Sequence, residues 1–149
     1  MSVVAGKRNV ADTPANKMFY AVDSARGLAV HTIRICSNPK VFDPRYNGVV
    51  DKIVGLAMGI YADAWEANHV LVRKDPEGKP LQSDWEIRRN YEVSAARKCS
   101  ILLSMIDLSK QLFHLRSRKV KAWAQMTIST RADVIRWVQS DQKRYSSVK

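Results

Sequence analysis

Apolar residues recur along this chain at steps of three and four, the spacing that lines one face of an α-helix, and no segment reads as a strand. Val49, Ile53, Leu56, Ile60, Ala64, Ala67 and Leu71 form one such stripe, and Trp123, Thr127, Thr130, Val134 and Val138 form another. Punctuation divides the pattern into four helices. Thr13-Pro14 joins a capping residue to a proline suited to the first helical position, opening a helix that runs to about Cys36. Ser37-Asn38-Pro39 stops it, and Asp43-Pro44 repeats the start signal for a second helix ending near Lys74. Beyond the break at Asp75-Pro76-Glu77-Gly78-Lys79-Pro80, Ser83-Asp84-Trp85-Glu86 reads as a capping box for a third helix. That helix extends to about Arg116, and Ser117 then caps a fourth that reaches about Arg144. Short connections and scarce glycine predict an all-α, up-down-up-down four-helix bundle over residues 17–145, with a flexible tail at 1–16.

The third helix carries two stripes. Tyr91, Ala95, Cys99, Leu102, Ile106 and Phe113 line one, and Ile101, Met105, Leu108, Leu112 and Leu115 line another roughly 120° away. Two readings of the second stripe stand side by side: a central helix packing on two neighbours, or a subunit interface in a homo-oligomer.

Charge sharpens the picture. The chain has 25 Lys and Arg against 14 Asp and Glu, a net charge of +11 and an isoelectric point near 10.0, which favours polyanionic partners. Residues 1–84 hold 11 basic and 9 acidic side chains, so nearly all the excess falls in residues 85–149. Within the fourth helix, Arg118, Lys121, Gln125, Ser129, Ala132, Arg136, Gln139 and Lys143 share the face opposite Trp123 and Val134, with no acid among them. A solvated salt-bridged face would mix signs, so phosphate contact is the expected role. Arg116, Lys119 and Arg144 widen the patch, and Arg88, Arg89, Arg97 and Lys98 add positive charge on the third helix. Trp85, Tyr91, Trp123 and Trp137 lie on or beside apolar stripes and are expected in the core rather than stacked on bases.

Catalytic signatures do not emerge. His31, His69 and His114 lie far apart without a metal-ligand spacing, and each reads as structural or solvent-facing. Ser37-Asn38-Pro39-Lys40 matches S-x-x-K but lacks the companion elements of that enzyme class and sits at a helix end. Gly55 and Gly59 form G-x-x-x-G, which in a soluble helix suggests close helix packing. A non-enzymatic protein without metal or cofactor is the expectation. Cys36 and Cys99, each among apolar neighbours, read as two buried thiols of a reduced, cytoplasmic protein. The longest apolar run, Ile53 to Ala62, is too short to cross a bilayer.

A more particular likeness rests on named segments. Ser37-Asn38-Pro39-Lys40-Val41-Phe42-Asp43-Pro44-Arg45-Tyr46 leads into Asp51-Lys52-Ile53 and an Ala/Gly-rich second helix that ends Glu66-Ala67-Asn68. The third helix has Ala95, Cys99, Leu102 and Leu103, and Trp137 lies late in the fourth. In these features, across residues 18–142, the chain resembles a family of small four-helix-bundle proteins. That family includes the accessory variability determinant of diversity-generating retroelements and the proteins encoded in intervening sequences of bacterial 23S ribosomal RNA genes. The basic balance favours the retroelement branch. Such a resemblance implies a pentameric, barrel-like, positively charged assembly that binds the element's reverse transcriptase and its template RNA or cDNA. It further implies a need for this protein in the mutagenic copying that diversifies a target gene, without its being the polymerase. The alternative from the residues alone is a structural homo-oligomeric interaction module whose charge serves solubility or docking to an acidic protein.

Overall fold

The computed structural model describes the backbone of residues 14–146 and the side chains of residues 20–146. Four helices follow one another: α1 (Pro14–Cys36), α2 (Asn47–His69), α3 (Gln82–Phe113) and α4 (Ser117–Tyr145), with a 3-10 turn at Pro44–Tyr46 before α2. Each packs on its neighbour in sequence, and α1 closes against α4. Cross-helix contacts run in opposite sense along the pairs: Ser24 meets Asp133 while Thr32 meets Trp123, and Arg88 meets Asp141 while Ser100 meets Arg131. The α1–α4 and α3–α4 pairs are therefore antiparallel, as an up-down-up-down bundle requires of them.

The core is the sum of the expected stripes. Ile53, Leu56, Ile60, Ala64 and Ala67 of α2 are buried, as are Ala95, Cys99, Leu102, Ile106 and Phe113 of α3. From α4 come Trp123, Thr127, Thr130, Val134 and Trp137, and α1 contributes Ala21, Ala25, Leu28 and Cys36 at the same spacing. Trp85 is buried too, so these indoles serve packing as expected. The Trp123 Nε1–H donates to Thr32 Oγ1 at 3.0 Å, satisfying a polar group that burial would otherwise orphan. Both cysteines are buried free thiols, and burial pushes them up to about 11 for Cys36 and about 12 for Cys99.

Several helix boundaries differ from the expectation, each for a local reason. Thr13 lies outside the described residues; Pro14 opens α1. Asp43 caps the short 3-10 turn rather than α2 itself, its Oδ1 accepting from the Arg45 N–H at 2.9 Å. The second helix stops at His69 rather than near Lys74, because the chain turns extended to deliver Arg73 to Asp84. The Arg73 N–H and Nε donate to Asp84 Oδ2, both at 2.9 Å, and Nη2 donates to Oδ1 at 3.0 Å. That guanidinium and amide hold the Asp84 carboxyl down to about 2. Leu71, expected in the buried stripe, is consequently 79% exposed.

Two capping expectations fail. Ser83 lies inside α3, and Leu81 at the N-cap position makes no side-chain cap, so the capping box does not form. Asp84 and Gln82 are instead drawn into tertiary bonds, Gln82 Nε2 donating to the Tyr145 carbonyl at 2.9 Å. Ser117 is the first residue of α4 rather than its cap; Arg116 occupies that position without a side-chain bond. The third helix ends at Phe113, earlier than Arg116, where His114 turns left-handed with φ 54°.

Gly55 and Gly59 do not mark a helix contact of the expected kind. Nothing lies within 4 Å of a Cβ built on Gly55, while Gly59 accommodates the stem of Lys98, whose Cδ would be 3.3 Å away. Small size at position 59 serves a side chain and not a neighbouring backbone.

Candidate nucleic-acid interface

Helix α4 turns its core stripe inward, and geometry then dictates what lies opposite. Arg118, Lys121, Gln125, Ser129, Arg136, Gln139 and Lys143 are all exposed, and Ala132 is half-buried among them. From Arg118 to Lys143 the row extends about 37 Å at the α-helical rise. Neither acid of α4 lies within this row. Asp141 is buried against Arg88, and Asp133 accepts from Ser24 Oγ at 2.5 Å on the α1 side. Asp133 also pairs with Arg136, so that guanidinium is partly neutralised where Arg118, Lys121 and Lys143 are not.

Arg116 and Lys119 are exposed at the amino end of the row. Arg144 is exposed at the other end, its guanidinium 5.0 Å from the Tyr145 ring centre. On α3, Arg89 and Arg97 are exposed and free to add to the field. Sequence periodicity did not single out Arg131, which is exposed and bridges α4 to α3 by donating from Nε to Ser100 Oγ at 2.9 Å.

Two expected members do not belong. Arg88 is only 4% exposed, with Nε 2.7 Å from Asp141 Oδ2 and 3.4 Å from Glu92 Oε2, and Nη1 donates to the Val70 carbonyl at 3.1 Å. A guanidinium so enclosed cannot reach phosphate. Lys98 is half-buried across the α2–α3 seam, its Nζ 2.8 Å from Asp63 Oδ2, which also accepts from Ser94 Oγ at 2.6 Å. Both errors share one cause: acids distant in sequence, Asp141 and Asp63, are brought alongside by the fold.

The second stripe of α3 divides. Met105 and Leu112, with Leu115 in the connection beyond the helix's end, are partly buried against the bundle's own core, whereas Ile101 and Leu108 are 39% and 46% exposed. Outside these faces, Trp65 is exposed and stacked on His69 with ring centres 3.8 Å apart. His114 is exposed at the α3 end, and His31 is half-buried beside α4. Ser37 and Lys40 are exposed, the Ser37 hydroxyl donating to the Ile33 carbonyl at 2.6 Å. Among the described residues no three His, Cys, Asp or Glu side chains gather to hold a metal ion, and no helix is long and apolar enough to cross a membrane.

No family model, curated protein or solved structure matches this chain.

Proposed function

We propose that this protein is a non-catalytic, basic nucleic-acid-binding accessory subunit of a retroelement reverse transcriptase, supporting template-RNA-dependent mutagenic cDNA synthesis. The observation that carries the binding role is the α4 row, in which cations and neutral donors are exposed over seven turns with no acid in the row, Asp133 at its edge pairing with Arg136. Such a surface binds through phosphate neutralisation and counterion release, giving affinity without sequence reading. The likeness of the 37–46 segment and the Ala/Gly-rich α2 to the four-helix-bundle family, with the basic balance favouring its retroelement branch, supports the polymerase as partner. Self-assembly, with a pentamer implied by that likeness, would repeat the row and raise affinity through multivalency. The exposure of Ile101 and Leu108 on α3 is compatible with such contacts and equally with the alternative, a structural homo-oligomeric module without nucleic-acid function.

Reversing Arg118, Lys121 and Arg136 together to Glu tests the row. Fluorescence anisotropy with a structured RNA should show binding lost at moderate salt while circular dichroism shows unchanged helicity. A variant carrying only Arg118→Gln and Lys121→Gln should bind with a log–log salt slope flatter by about 1.4 to 1.8, the value for two phosphate contacts. Unaltered affinity in both variants would remove α4 as the interface, and RNA-indifferent stable oligomers would favour the structural alternative.

A further inference from the structure

A cavity of about 290 Å³ opens where the carboxyl end of α1, the loop after it and the first two turns of α4 converge. Its apolar wall is Ile35, Val41, Phe42, Leu115 and Trp123. Arg34 and Lys119 stand at the rim, both exposed, and no acidic residue lines it. The Trp123 N–H is already engaged by Thr32, so the indole presents only apolar surface here. His31 also lines the cavity, and its buried Nε2 has no hydrogen-bond partner among the described residues. With no solvent-accessible surface, that atom lies out of reach of a molecule in the cavity, so His31 lines the wall without offering Nε2 to an occupant. Burial lowers the His31 pKa, which keeps the imidazole neutral near pH 7 and the cavity wall uncharged there.

We propose that this cavity is a nucleotide subsite: one heteroaromatic base enters the apolar part, and its phosphate is held by Arg34 and Lys119. The volume lies at the low edge of the roughly 300–1,000 Å³ of ligand pockets, room for one ring system. Two unpaired cations at the rim of an apolar slot fit a planar ring that carries an anion. The exposed Asn38 side-chain amide, whose Oδ1 accepts from the Lys40 N–H at 3.0 Å, supplies hydrogen bonds to the base edge. Lys119 is one residue from Arg118, the first member of the α4 row, so a strand lying on that row can deliver an unpaired base to the cavity. Delivery from a strand rests on the function proposed above; occupation by a free nucleotide does not.

The test compares wild-type protein, Asn38→Trp, which fills the mouth from an exposed loop position, and Arg34→Glu, which removes a rim cation and keeps the cavity's shape. Circular dichroism checks that both variants fold. Anisotropy is measured with an oligoadenylate of about eight nucleotides, within the usual single-strand site size, and with the same sugar–phosphate chain lacking bases. Calorimetry with AMP examines the free nucleotide. Wild type should bind the base-bearing strand about tenfold more tightly than the abasic one, the order expected for stacking one base. Asn38→Trp should erase that difference and leave abasic binding unchanged, and Arg34→Glu should weaken AMP. Equal affinity for the two strands, with AMP bound by wild type and lost in both variants, would assign the cavity to a free nucleotide. Equal strand affinities with no AMP binding would overturn the subsite while the α4 row stands. Failure to bind either strand would overturn the function proposed above, and AMP alone would then decide the cavity.

Discussion

Glu92 is the residue whose surroundings say most about its ionisation. It is fully buried on α3, one turn from Arg88, and faces Asp141 of α4. The single guanidinium is shared between two carboxyl groups, and it also lies 5.6 Å from the Trp137 ring centre and 5.4 Å from that of Tyr145. One positive charge cannot offset two negative ones in a dry site, so desolvation, and then Asp141, push Glu92 up to about 10. Folded protein therefore holds a proton on Glu92 that the unfolded chain releases near pH 4.5. The stability this contributes is complete below pH 4.5 and falls as pH rises toward 10, by up to about 1.4 kcal/mol per pH unit. The lowered His31 pKa acts mainly below pH 7, and the raised thiols of Cys36 and Cys99, 9.0 in the unfolded chain, matter mainly above about pH 8. Urea unfolding between pH 7 and 8 should thus show wild type losing stability while Glu92→Gln stays nearly flat; parallel profiles would mean Glu92 is ionised in the fold.

At the scale of the helix, spacing made the core legible and concealed the ends. Buried positions in α2, α3 and α4 follow from a period of 3.6 alone, because a stripe opposite solvent must enter the bundle. Helix boundaries depend on tertiary bonds that no local pattern announces, as at Asp84, where Arg73 eleven residues earlier overrides a sound capping box. The α4 row was legible for the same reason as the core, being its geometric complement, whereas Arg88 and Lys98 were misassigned because their acidic partners lie 53 and 35 residues away. The cavity was not legible, since it is assembled from α1, a loop and α4. Gly55 offers a test at this scale. It is exposed in mid-helix with open space where a Cβ would go, so the glycine confers only backbone freedom on the unfolded chain. Gly55→Ala should raise stability by about 0.5–1 kcal/mol in urea unfolding. A loss instead would show that this position is closely approached, as the helix packing read from its G-x-x-x-G spacing requires.

For the whole molecule, a net charge of +11 concentrated after residue 84 makes folding and polyanion binding interdependent. Folding gathers that net charge into one small bundle, a repulsion that a bound phosphate chain relieves. A ligand that binds the folded row more tightly than the unfolded chain stabilises by mass action, about 2.7 kcal/mol at a hundredfold excess over Kd. For a chain of 149 residues this corresponds to a rise in Tm of roughly 5–10 °C. Differential scanning calorimetry with RNA at low salt should show that rise. At about 0.5 M salt it should vanish, because counterion release then contributes little. The free protein should move the opposite way, gaining stability as salt screens its own repulsion. An RNA-induced rise that survives high salt would mean that contacts other than phosphate dominate, placing the weight of binding on apolar sites such as the cavity beside Trp123 rather than on the α4 row.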